Sequence, residues 1–447
     1  MIPLKRALRL GKAPQVAFVG AGGKTAALFI LARLFDSPVL VTTSTHLAVS
    51  QAEQGDQHLA ILQAKDLASL EANRLPPVTV ITGGSNAEGR LGSLDDESLH
   101  KLSEFARQYR LPLLVEADGA RQRALKTPAE HEPAIPTFVD TVVVLAGLSA
   151  LGQPLGEDRV HRPELFARLS GVRLGAIVDP PAIARVLAHP QGGLRNIPPG
   201  ARRIALLNQA DTPDLEAAAR GLTAALLPAF DAVLVAAFAS SPEVIAAHEP
   251  AAGILLAAGG SERLGQPKQL LEWKGQPFVR HIATTALAAG LAPLVVVIGA
   301  QAERVEAALE GLNVVIVRNP SWQQGQSTSV KAGLAALPRS VGSALFLVVD
   351  QPQLPVALIE ALRAQHAASL APIIAPQVDG DRSNPVLFDR TTFPDFLDLQ
   401  GDVGGRAMFS KHPVAWLPWL DASVAIDVDR PEDYQRLLRQ AGQARSE

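Results

Sequence analysis

Short runs of valine, isoleucine and leucine alternate with alanine- and leucine-rich helical stretches along all 447 residues of the chain. Strands that are apolar throughout, rather than alternately apolar and polar, are typical of a parallel sheet buried on both faces. Parallel strands also need long crossover connections, which are usually helices. The pattern therefore predicts an α/β fold in which mostly parallel sheets are flanked by helices.

The alternation of strands and helices starts afresh at Gly253, after a connector that contains residues 240–243 (SSPE) and 248–250 (HEP). Serine and proline clusters of this kind mark loops between ordered segments. We therefore predict two domains, residues 1–245 and residues 251–447, a division that suits the length of the chain. Each domain has a glycine-rich loop near its start, so each is expected to handle a phosphorylated ligand.

Composition excludes several classes of function. The chain has no cysteine, which excludes disulfides, thiolate metal sites and thiol catalysis. Its net charge of −3 and its aromatic content of 4% argue against a surface for nucleic acid. No run of about 18 apolar residues indicates a membrane span, and glycine and proline interrupt the segment where a signal peptide would need an apolar core. We therefore expect a cytoplasmic protein without nucleic-acid or membrane partners.

The most informative loop lies at residues 255–268, with the sequence LLAAGGSERLGQPK. Gly259 and Gly260 follow an apolar strand, and backbone N–H groups at glycines can approach phosphate oxygens closely. Arg263 and Lys268 can then donate charge-assisted hydrogen bonds to a polyphosphate. The alternative is an ordinary glycine-rich turn between a strand and a helix.

This loop resembles the signature of the small-molecule nucleotidyltransferases, and its pattern AAGxSxRxGxxKQ is similar to that of the molybdenum cofactor cytidylyltransferases, which are MobA-like. The resemblance implies a Rossmann-like nucleotidyltransferase domain with Arg263 and Lys268 as catalytic residues. It also implies a set of nucleotide contacts: Leu256, Ala257, Ala258, Gly259, Gly260 and Ser327. Ser327 or Thr328 also stands where it could cap a helix, and a capped helix N-terminus is itself an anion site.

Acidic residues follow two later segments of this domain. An apolar strand at 345–349 ends at Asp350, where a carboxylate can hold Mg²⁺ or, alternatively, cap a helix. The family's DQP pattern matches at Asp350, which the resemblance makes a catalytic metal ligand. The segment AIDVDRPED at 425–433 resembles a second acidic motif of the family. Either Asp427 or Asp429, which an extended strand would project to the same side, is then the second ligand of Mg²⁺.

Two further segments are similar to the substrate side of that family. They are GDRSNPVLF at 380–388, with Asn384 and Pro385, and GDVGGR at 401–406, with Gly404 and Arg406. An ordinary glycine turn with a surface arginine is the alternative for the second segment. The resemblance implies transfer of CMP from CTP to molybdopterin with release of pyrophosphate and with Mg²⁺ as the cofactor. Other nucleotides, and a sugar or polyol phosphate as the acceptor, remain open.

The first domain begins with a strand, a glycine-rich loop and a helix at residues 15–26, QVAFVGAGGKTA. The loop is similar to the end of a P-loop, although the first glycine of the full spacing would fall on Phe18. Its candidate phosphate-binding residues are Gly20, Gly22, Gly23, Lys24 and Thr25. A strand at 113–116 leads into acids, which makes Asp118 a candidate metal ligand. The alternative is a plain strand-to-helix turn.

Polar segments at strand ends, which include EADGA at 116–120 and LKTPAEHEP at 125–133, make this domain similar to the YqeC-type accessory proteins of selenium-dependent molybdenum hydroxylases. The two resemblances imply one pathway of molybdopterin maturation, with an apo molybdenum hydroxylase as a partner. A nucleotide-gated cofactor carrier or insertion chaperone is the alternative from a different class. His46, His131 and His161 are either a metal cluster or surface and structural residues.

Overall fold

The computed structural model describes residues 1–85 and 89–443. It divides into two compact units, Met1–His248 and Glu249–Glu447, which are described separately below. The division falls between residues 240 and 250, where the sequence predicts a connector, but Glu243–His248 form a strand of the first unit rather than a loop.

The first unit alternates strands and helices. Its strands are β1 (Ile2–Pro3), β2 (Gln15–Gly20), β3 (Val39–Thr43), β4 (His46–Ala48), β5 (Gln57–Ala60), β6 (Val78–Thr82), β7 (Arg90–Gly92), β8 (Leu113–Glu116), β9 (Leu125–Lys126), β10 (Thr141–Gly147), β11 (Val160–His161), β12 (Arg202–Asn208), β13 (Ala232–Ala236) and β14 (Glu243–His248). Its helices are α1 (Leu4–Ala7), α2 (Lys24–Ala32), α3 (Val49–Ala52), α4 (Asp96–Tyr109), α5 (Pro163–Ser170), α6 (Pro180–Leu187) and α7 (Pro213–Leu226).

The main sheet of the first unit has the strand order β1-β14-β13-β12-β10-β2-β8-β3-β6-β5. All neighbours from β13 to β5 are parallel, and β14 and β1 add an antiparallel edge. The central strand β10, with the sequence TVVVLAG, is buried along its whole length. The continuous apolar runs of the sequence therefore mark strands covered on both faces, as predicted.

The second unit repeats this architecture with other connections. Its strands are β15 (Ala251–Ala257), β16 (Glu272–Trp273), β17 (Gln276–Pro277), β18 (Leu294–Ile298), β19 (Val315–Arg318), β20 (Ser343–Val348), β21 (Ile373–Val378), β22 (Asp381–Arg382), β23 (Val386–Asp389) and β24 (Val414–Pro418). Its helices are α8 (Phe278–Ala288), α9 (Ala302–Ala308), α10 (Gln326–Ala335), α11 (Val356–Ser369), α12 (Phe393–Phe396) and α13 (Pro431–Gln443).

The sheet of the second unit has the order β19-β18-β15-β20-β23-β21-β22, and β24 pairs with β21. The part from β19 to β20 is parallel, whereas β23 joins β20 in an antiparallel pair. The α/β class and the two mostly parallel, helix-flanked sheets predicted from the sequence are confirmed. Across residues 1–85 and 89–443, none of the helices has both the length and the apolar character needed to cross a membrane.

Candidate functional site

A cleft of about 930 Å³ opens in the second unit beside the carboxyl ends of β15 and β20. Its walls are the glycine-rich loop after β15, the turn before α10 and the residues that follow β20. Ligands of open parallel sheets bind at this edge. The predicted nucleotide contacts that line the cleft are Leu256, Ala258, Gly259 and Gly260; Ala257 and Ser327 do not line it.

Gln269 holds the glycine-rich loop in shape. The residue is 1% exposed, and its Nε2 donates hydrogen bonds to the carbonyl oxygens of Ala257 and Gly259, at 3.0 and 2.7 Å. The hydroxyl of Ser261 accepts a hydrogen bond from the backbone N–H of Lys268 at 3.0 Å. The chain's own polar groups therefore fix the loop before any ligand binds, which is the preorganisation that charge stabilisation requires.

Lys268 joins two acidic residues from distant parts of the chain. Its Nζ lies 3.0 Å from Oδ2 of Asp350, which follows β20, and 2.8 Å from Oδ1 of Asp429, which precedes α13. Burial alone would lower the pKa of Lys268, but the two carboxylates raise it above its usual value. The hydrogen bond from Lys268 is the main reason that the pKa of Asp429 is lowered. The three side chains therefore form a charged cluster, with the ammonium between the carboxylates.

Asp350 does not cap a helix. The helix that follows it, α11, begins only at Val356, with Pro355 at the N-cap. Its carboxylate is therefore committed to Lys268 and to the cleft, which it lines. The position of Asp350 at the end of a parallel strand is the one that the sequence predicts for a residue that acts on a ligand.

Arg263 stands on the open side of this charged cluster. Its side chain is 77% exposed, and its Nη1 lies 3.8 Å from Oδ2 of Asp429. An exposed ion pair of this length contributes little to stability. The guanidinium is therefore available to an anion in the cleft at little cost.

Asp427 and Asp429 have different partners. Asp429 lines the cleft, whereas Asp427 accepts a hydrogen bond from Nε2 of Gln351 at 2.8 Å and does not line it. Burial and the neighbouring charge of Asp350 raise the pKa of Asp427. The extended strand predicted here is wrong. The segment belongs to no strand: the buried Val428 packs into an apolar cluster, and its N–H donates to the carbonyl of Asp350 at 2.9 Å.

Asp350 and Asp429 suit a divalent cation by their chemistry. Both carboxylates contact the same ammonium, so both lie within reach of one cation, and carboxylate oxygens are ligands that Mg²⁺ prefers. In the described part of the chain, however, no group of three or more histidine, aspartate or glutamate side chains is arranged to hold a metal ion. A cation at this place would therefore have to take carboxylate oxygens that bind Lys268.

Trp322 packs against the glycine-rich loop. A β-carbon added at Gly260 would lie 3.1 Å from the indole ring, and one added at Gly299 would lie 2.7 Å from it. The lack of side chains at these positions lets the indole approach the loop, where it lines the cleft. An aromatic face beside a phosphate-binding loop suits a stacking contact with a nucleobase.

The helix cap predicted at Ser327 or Thr328 is wrong. The N-cap of α10 is Gly325, whose φ of +113° favours glycine, and no side chain caps the helix. Because α10 begins at Gln326, both hydroxyls lie inside its first turn. Ser327 is buried, its N–H donates to the carbonyl of Gly401 at 3.2 Å, and the hydroxyl of Thr328 donates to the carbonyl of Gly325 at 2.9 Å.

The residues predicted on the substrate side lie in different places. Gly404 packs so closely against Gln326 that any β-carbon there would collide with its side chain, which puts the 401–406 segment beside the start of α10. Asp402 of this segment lines the cleft. None of the four predicted residues lines it, however: Asn384, Pro385, Gly404 and the exposed Arg406.

A second cleft, of about 990 Å³, opens in the first unit beside β2, β3 and β8. It is lined by Gly22, Gly23, Lys24 and Thr25, and Gly20 ends β2. The φ values of the three glycines are +92°, +84° and +115° in chain order, a backbone conformation that favours glycine. The sharp turn into α2 therefore depends on the glycines that the sequence pattern singles out.

Asp118 is the counter-ion of two lysines behind this loop. Its carboxylate lies 3.1 Å from Nζ of Lys24 and 3.0 Å from Nζ of Lys126, and it accepts a hydrogen bond from the N–H of Gly20 at 3.0 Å. Asp118 is 2% exposed and does not line the cleft. Its role as a metal ligand stays a prediction.

Glu116 is the carboxylate of β8 that lines this cleft, although the residue is only 6% exposed. Its Oε2 accepts a hydrogen bond from the hydroxyl of Thr25 at 2.9 Å, and Nε2 of Gln51 donates to that hydroxyl at 2.6 Å. Burial raises the pKa of Glu116, and the charge of Lys24 opposes this only in part. The acid and the hydroxyl are thus held together next to the glycine-rich loop.

An ion-pair chain continues from Asp118 away from the loop. Lys126 Nζ lies 2.9 Å from Glu132, whose two oxygens accept hydrogen bonds from Arg162 at 2.6 and 3.1 Å. Burial would raise the pKa of Glu132, but the hydrogen bonds from Arg162 and Lys126 lower it to about 2. Burial and the neighbouring cations lower the pKa of His161 to about 4. Near neutral pH, Glu132 is therefore ionised and His161 neutral.

The histidine cluster considered from the sequence does not form. His46 and His131 line the cleft of the first unit, but His161 does not, and none of the three belongs to a metal-holding group among the described residues.

Comparison with known proteins shows the families to which this chain belongs. The family model of the YqeC protein matches residues 16–164, and that of the MobA-like NTP transferase domain matches residues 253–416. The uncharacterized protein YqeC of Escherichia coli (strain K12) is 33% identical over 199 residues, which are 43% of this chain and 75% of that protein. The nicotine blue oxidoreductase of Paenarthrobacter nicotinovorans is 35% identical over 200 residues, 42% of this chain and 95% of that protein. This chain belongs to both families.

The YqeC domain and the transferase domain correspond to the two units of the fold. Among solved structures, the transferase domain is similar to Rv0371c from Mycobacterium tuberculosis H37Rv, with 29% identity, a TM-score of 0.39, and coverage of 42% of this chain and 98% of that one. The family makes this protein a nucleotidyltransferase and confirms both resemblances seen in the sequence.

Several residues of the two sites escape sequence reasoning. Gln269 stands in the loop pattern itself, directly after Lys268, and this position is the signal that could have found it. Asp402 stands in the GDVGGR segment, although Gly404 and Arg406 are the residues predicted from that segment. Trp322 carries no such signal, because its place in the cleft follows from packing between distant segments. In the YqeC domain, Asn208 is 4% exposed and donates a hydrogen bond to the carbonyl of Gly22 at 2.7 Å, a contact across 186 positions of the chain.

Proposed function

We propose that the transferase domain moves a nucleotidyl group from a nucleoside triphosphate to a phosphorylated acceptor and releases pyrophosphate. The observation that carries this proposal is the cluster of Lys268, Asp350 and Asp429 beside the glycine-rich loop. Cationic donors for a polyphosphate and carboxylates for a divalent cation are the two requirements of this chemistry, and both occur in one cleft. Membership of the MobA-like NTP transferase family supports the same reaction type.

The residues of the cleft have separate tasks in this reaction. Backbone groups of Gly259 and Gly260 and the guanidinium of Arg263 bind the triphosphate, and Lys268 turns from a carboxylate to the phosphates. The terminal phosphate of the acceptor attacks the α-phosphorus in line, and the bond to the β-phosphate breaks, so pyrophosphate carries away the electron pair. No protein nucleophile is needed, because positioning and charge stabilisation lower the barrier.

We propose Mg²⁺ as the divalent cation, held by the carboxylates of Asp350 and Asp429. When bound, it would neutralise charge on the phosphate oxygens. Asp350 is the stronger candidate because it follows β20 closely and its carbonyl accepts the N–H of Val428 at 2.9 Å. Asp429 is the better second ligand because Asp427 accepts a hydrogen bond from Gln351. The cation and the ammonium of Lys268 would therefore compete for the carboxylate oxygens of Asp350 and Asp429.

We propose CTP and molybdopterin as the two substrates, and an apo molybdenum hydroxylase as the recipient of the product. The support is the AAGxSxRxGxxKQ pattern of the loop, together with the GDVGGR segment beside α10. Trp322 lines the cleft where a base can stack, although stacking alone does not select cytosine. A sugar or polyol phosphate is the alternative acceptor for the same cluster.

Pyrophosphate release tests the proposal. The full-length chain is mixed with each of the four nucleoside triphosphates and with molybdopterin, a sugar phosphate or a polyol phosphate, in the presence of Mg²⁺. We expect release with CTP and molybdopterin and little with the other pairs. Release with a sugar phosphate but not with molybdopterin would favour the alternative acceptor, and no release with any pair would contradict the proposal.

Asp350→Asn is the matched variant for this assay, because it removes the charge and keeps the shape. We expect a folded protein that binds triphosphate and has lost turnover. Asp398→Asn is the control, since Asp398 is an exposed aspartate of the same domain that does not line the cleft. Near-normal turnover in Asp350→Asn would remove Asp350 from the catalytic machinery.

A further inference from the structure

The cleft of the YqeC domain contains polar groups that the transferase reaction does not use. The hydroxyl oxygens of Ser44 and Thr45 are buried and have no hydrogen-bond partner within residues 1–85 and 89–443, although both residues line the cleft. Glu116 lines it too, and of its two carboxylate oxygens only Oε2 has a hydrogen-bond partner among the described residues. Buried polar atoms in native proteins are nearly always paired, so unpaired ones on residues that line a cleft indicate a ligand.

Two arginines lie in the same cleft without a carboxylate partner. Arg121 and Arg123 line it from the loop that follows β8. Among the described residues, Arg121 forms no ion pair, and the guanidinium of Arg123 donates a hydrogen bond only to the carbonyl of Asp158, at 3.4 Å. Arg121 and Gln122 have φ values of 48° and 60°, a left-handed conformation that side chains rarely adopt. Backbone strain of this kind is typical of loops that hold a ligand.

The charge balance around the glycine-rich loop favours an anion. Lys24, Lys126 and Arg162 carry three positive charges, and three carboxylates beside them, Asp118, Glu132 and Glu116, balance these charges. The two arginines of the cleft add two positive charges that no carboxylate of this group balances. The excess of positive charge therefore lies on the side of the cleft.

Thr25 and Glu116 are placed to serve a divalent cation that accompanies the anion. Their side-chain oxygens lie 2.9 Å apart, one at the start of α2 and the other at the end of β8. A hydroxyl that follows a phosphate-loop lysine, close to a carboxylate at a strand end, is the oxygen set with which nucleotide sites hold Mg²⁺. Asp118 is not available for this task, because it is buried between two lysines.

We propose that the YqeC domain has a second nucleotide site, in which a nucleoside triphosphate with its divalent cation lies between the glycine-rich loop and the 121–123 loop. The N–H groups at the start of α2 contact the phosphates from one side, as does Lys24 once its ammonium turns from Asp118 and the carbonyl of Gly20. Arg121 and Arg123 contact them from the other side. Thr25 and Glu116 bind the cation. This site is separate from that of the transferase domain, so the chain binds two nucleotides.

Hydrogen exchange of the full-length chain can test the two sites separately, because each domain yields its own peptides. The probes are the β,γ-imido analogues of ATP, GTP, CTP and UTP with Mg²⁺, and inorganic tripolyphosphate. We expect at least one analogue to slow exchange in peptides that cover residues 15–32 and 113–126. No slowing there by any probe, at concentrations that protect residues 251–270, would overturn the proposal.

Substitutions of the proposed phosphate-binding residues test which side chains contact the nucleotide. We expect Lys24→Ala, and the double variant Arg121→Ala/Arg123→Ala, each to weaken binding at the YqeC domain by about tenfold to a hundredfold, the range for a lost charge-assisted hydrogen bond. The control is Arg168→Ala, which removes an exposed arginine of α5 outside the cleft. The arginine loop is exposed or half-exposed, so the double variant remains informative if Lys24→Ala does not fold. Unchanged affinity in the double variant would overturn the role of the 121–123 loop.

The outcomes also distinguish this proposal from that for the transferase domain. Protection of residues 15–32 by tripolyphosphate but by none of the nucleotides would identify a polyphosphate site and overturn the nucleotide assignment. Pyrophosphate release measured on the same samples reports the transferase domain independently. Binding at the YqeC domain without pyrophosphate release would contradict only the transferase proposal, and the reverse result would contradict only the second site.

Discussion

Replacement of Lys268 by methionine should separate metal binding from turnover. The ammonium lies 3.0 Å from Asp350 and 2.8 Å from Asp429, so a cation that binds the same carboxylates has to displace it. Methionine keeps most of the apolar length of the side chain and removes its charge. We therefore expect Lys268→Met to bind Mg²⁺ or Mn²⁺ more tightly than the unaltered chain while it loses nucleotidyl transfer.

The exposure of the three side chains sets the size of this effect. A hydrogen bond to a charged group contributes about 1.5–3 kcal/mol when it is shielded from water. The side chain of Lys268 is 15% exposed, that of Asp350 is 25% exposed and that of Asp429 is 42% exposed. Solvent therefore screens the contact with Asp429. We take about 1.5–3 kcal/mol as the free energy that the two contacts of Lys268 contribute together. This range corresponds to about tenfold to a hundredfold in metal affinity.

Isothermal titration of the metal-free, full-length chain with Mn²⁺ measures the affinity, and pyrophosphate release measures the turnover. Lys274→Met is the matched control, because the ammonium of Lys274 lies 5.5 Å from the centre of the Trp273 ring and does not line the cleft. The pKa of Asp429, which Lys268 lowers, should rise in the variant. A folded Lys268→Met protein with unchanged or weaker metal affinity would refute the competition between lysine and metal.

Three further outcomes are expected. Asp429→Asn should reduce pyrophosphate release far more than Asp427→Asn, because Asp429 lines the cleft and contacts Lys268 while Asp427 binds Gln351; equal losses would contradict this division. Residues 249–447 expressed alone should fold and retain transfer, which circular dichroism and pyrophosphate release can measure against the full-length chain. The pKa of Glu132, lowered from 4.5 to about 2, means that its ion pairs stabilise the fold above about pH 4.5 and that this stabilisation is lost as the pH falls towards 2. Thermal unfolding should therefore show a smaller loss of stability between pH 5 and pH 3 in Glu132→Gln than in the unaltered chain, by about 2 kcal/mol.

The parts of the fold that depend on local patterns can be predicted from the sequence. Continuous apolar runs mark the parallel strands, because a strand covered on both faces has no polar side. The glycines at 20, 22 and 23 mark a turn that needs left-handed backbone, and the structure has that backbone at all three. The place of Asp350 just after such a strand, at the edge where ligands bind, also follows from the pattern, whereas its role as a catalytic metal ligand stays a prediction.

The parts that depend on contacts between distant segments cannot be predicted in this way. Lys268 donates hydrogen bonds to Asp350 and Asp429, which are 82 and 161 positions away in the chain. No spacing in the sequence indicates that one lysine contacts both carboxylates. The extended strand expected at 427–429 fails for a related reason. A short apolar residue between polar ones fits a strand, but Val428 instead packs into a small cluster with Leu264 and Trp273.

The hydrogen bonds of the Gln269 amide should make the shape of the glycine-rich loop insensitive to pH and to salt. One nitrogen with two hydrogens donates to two carbonyl oxygens, of Ala257 and Gly259, and a primary amide does not change charge between acid and alkaline conditions. The loop should therefore keep one shape at every pH at which the domain stays folded, and added salt should not loosen it. Gln269→Glu keeps the size and shape of the side chain but replaces the donating nitrogen with a carboxylate oxygen. Its contacts with the carbonyl oxygens of Ala257 and Gly259 would then be repulsive instead of attractive.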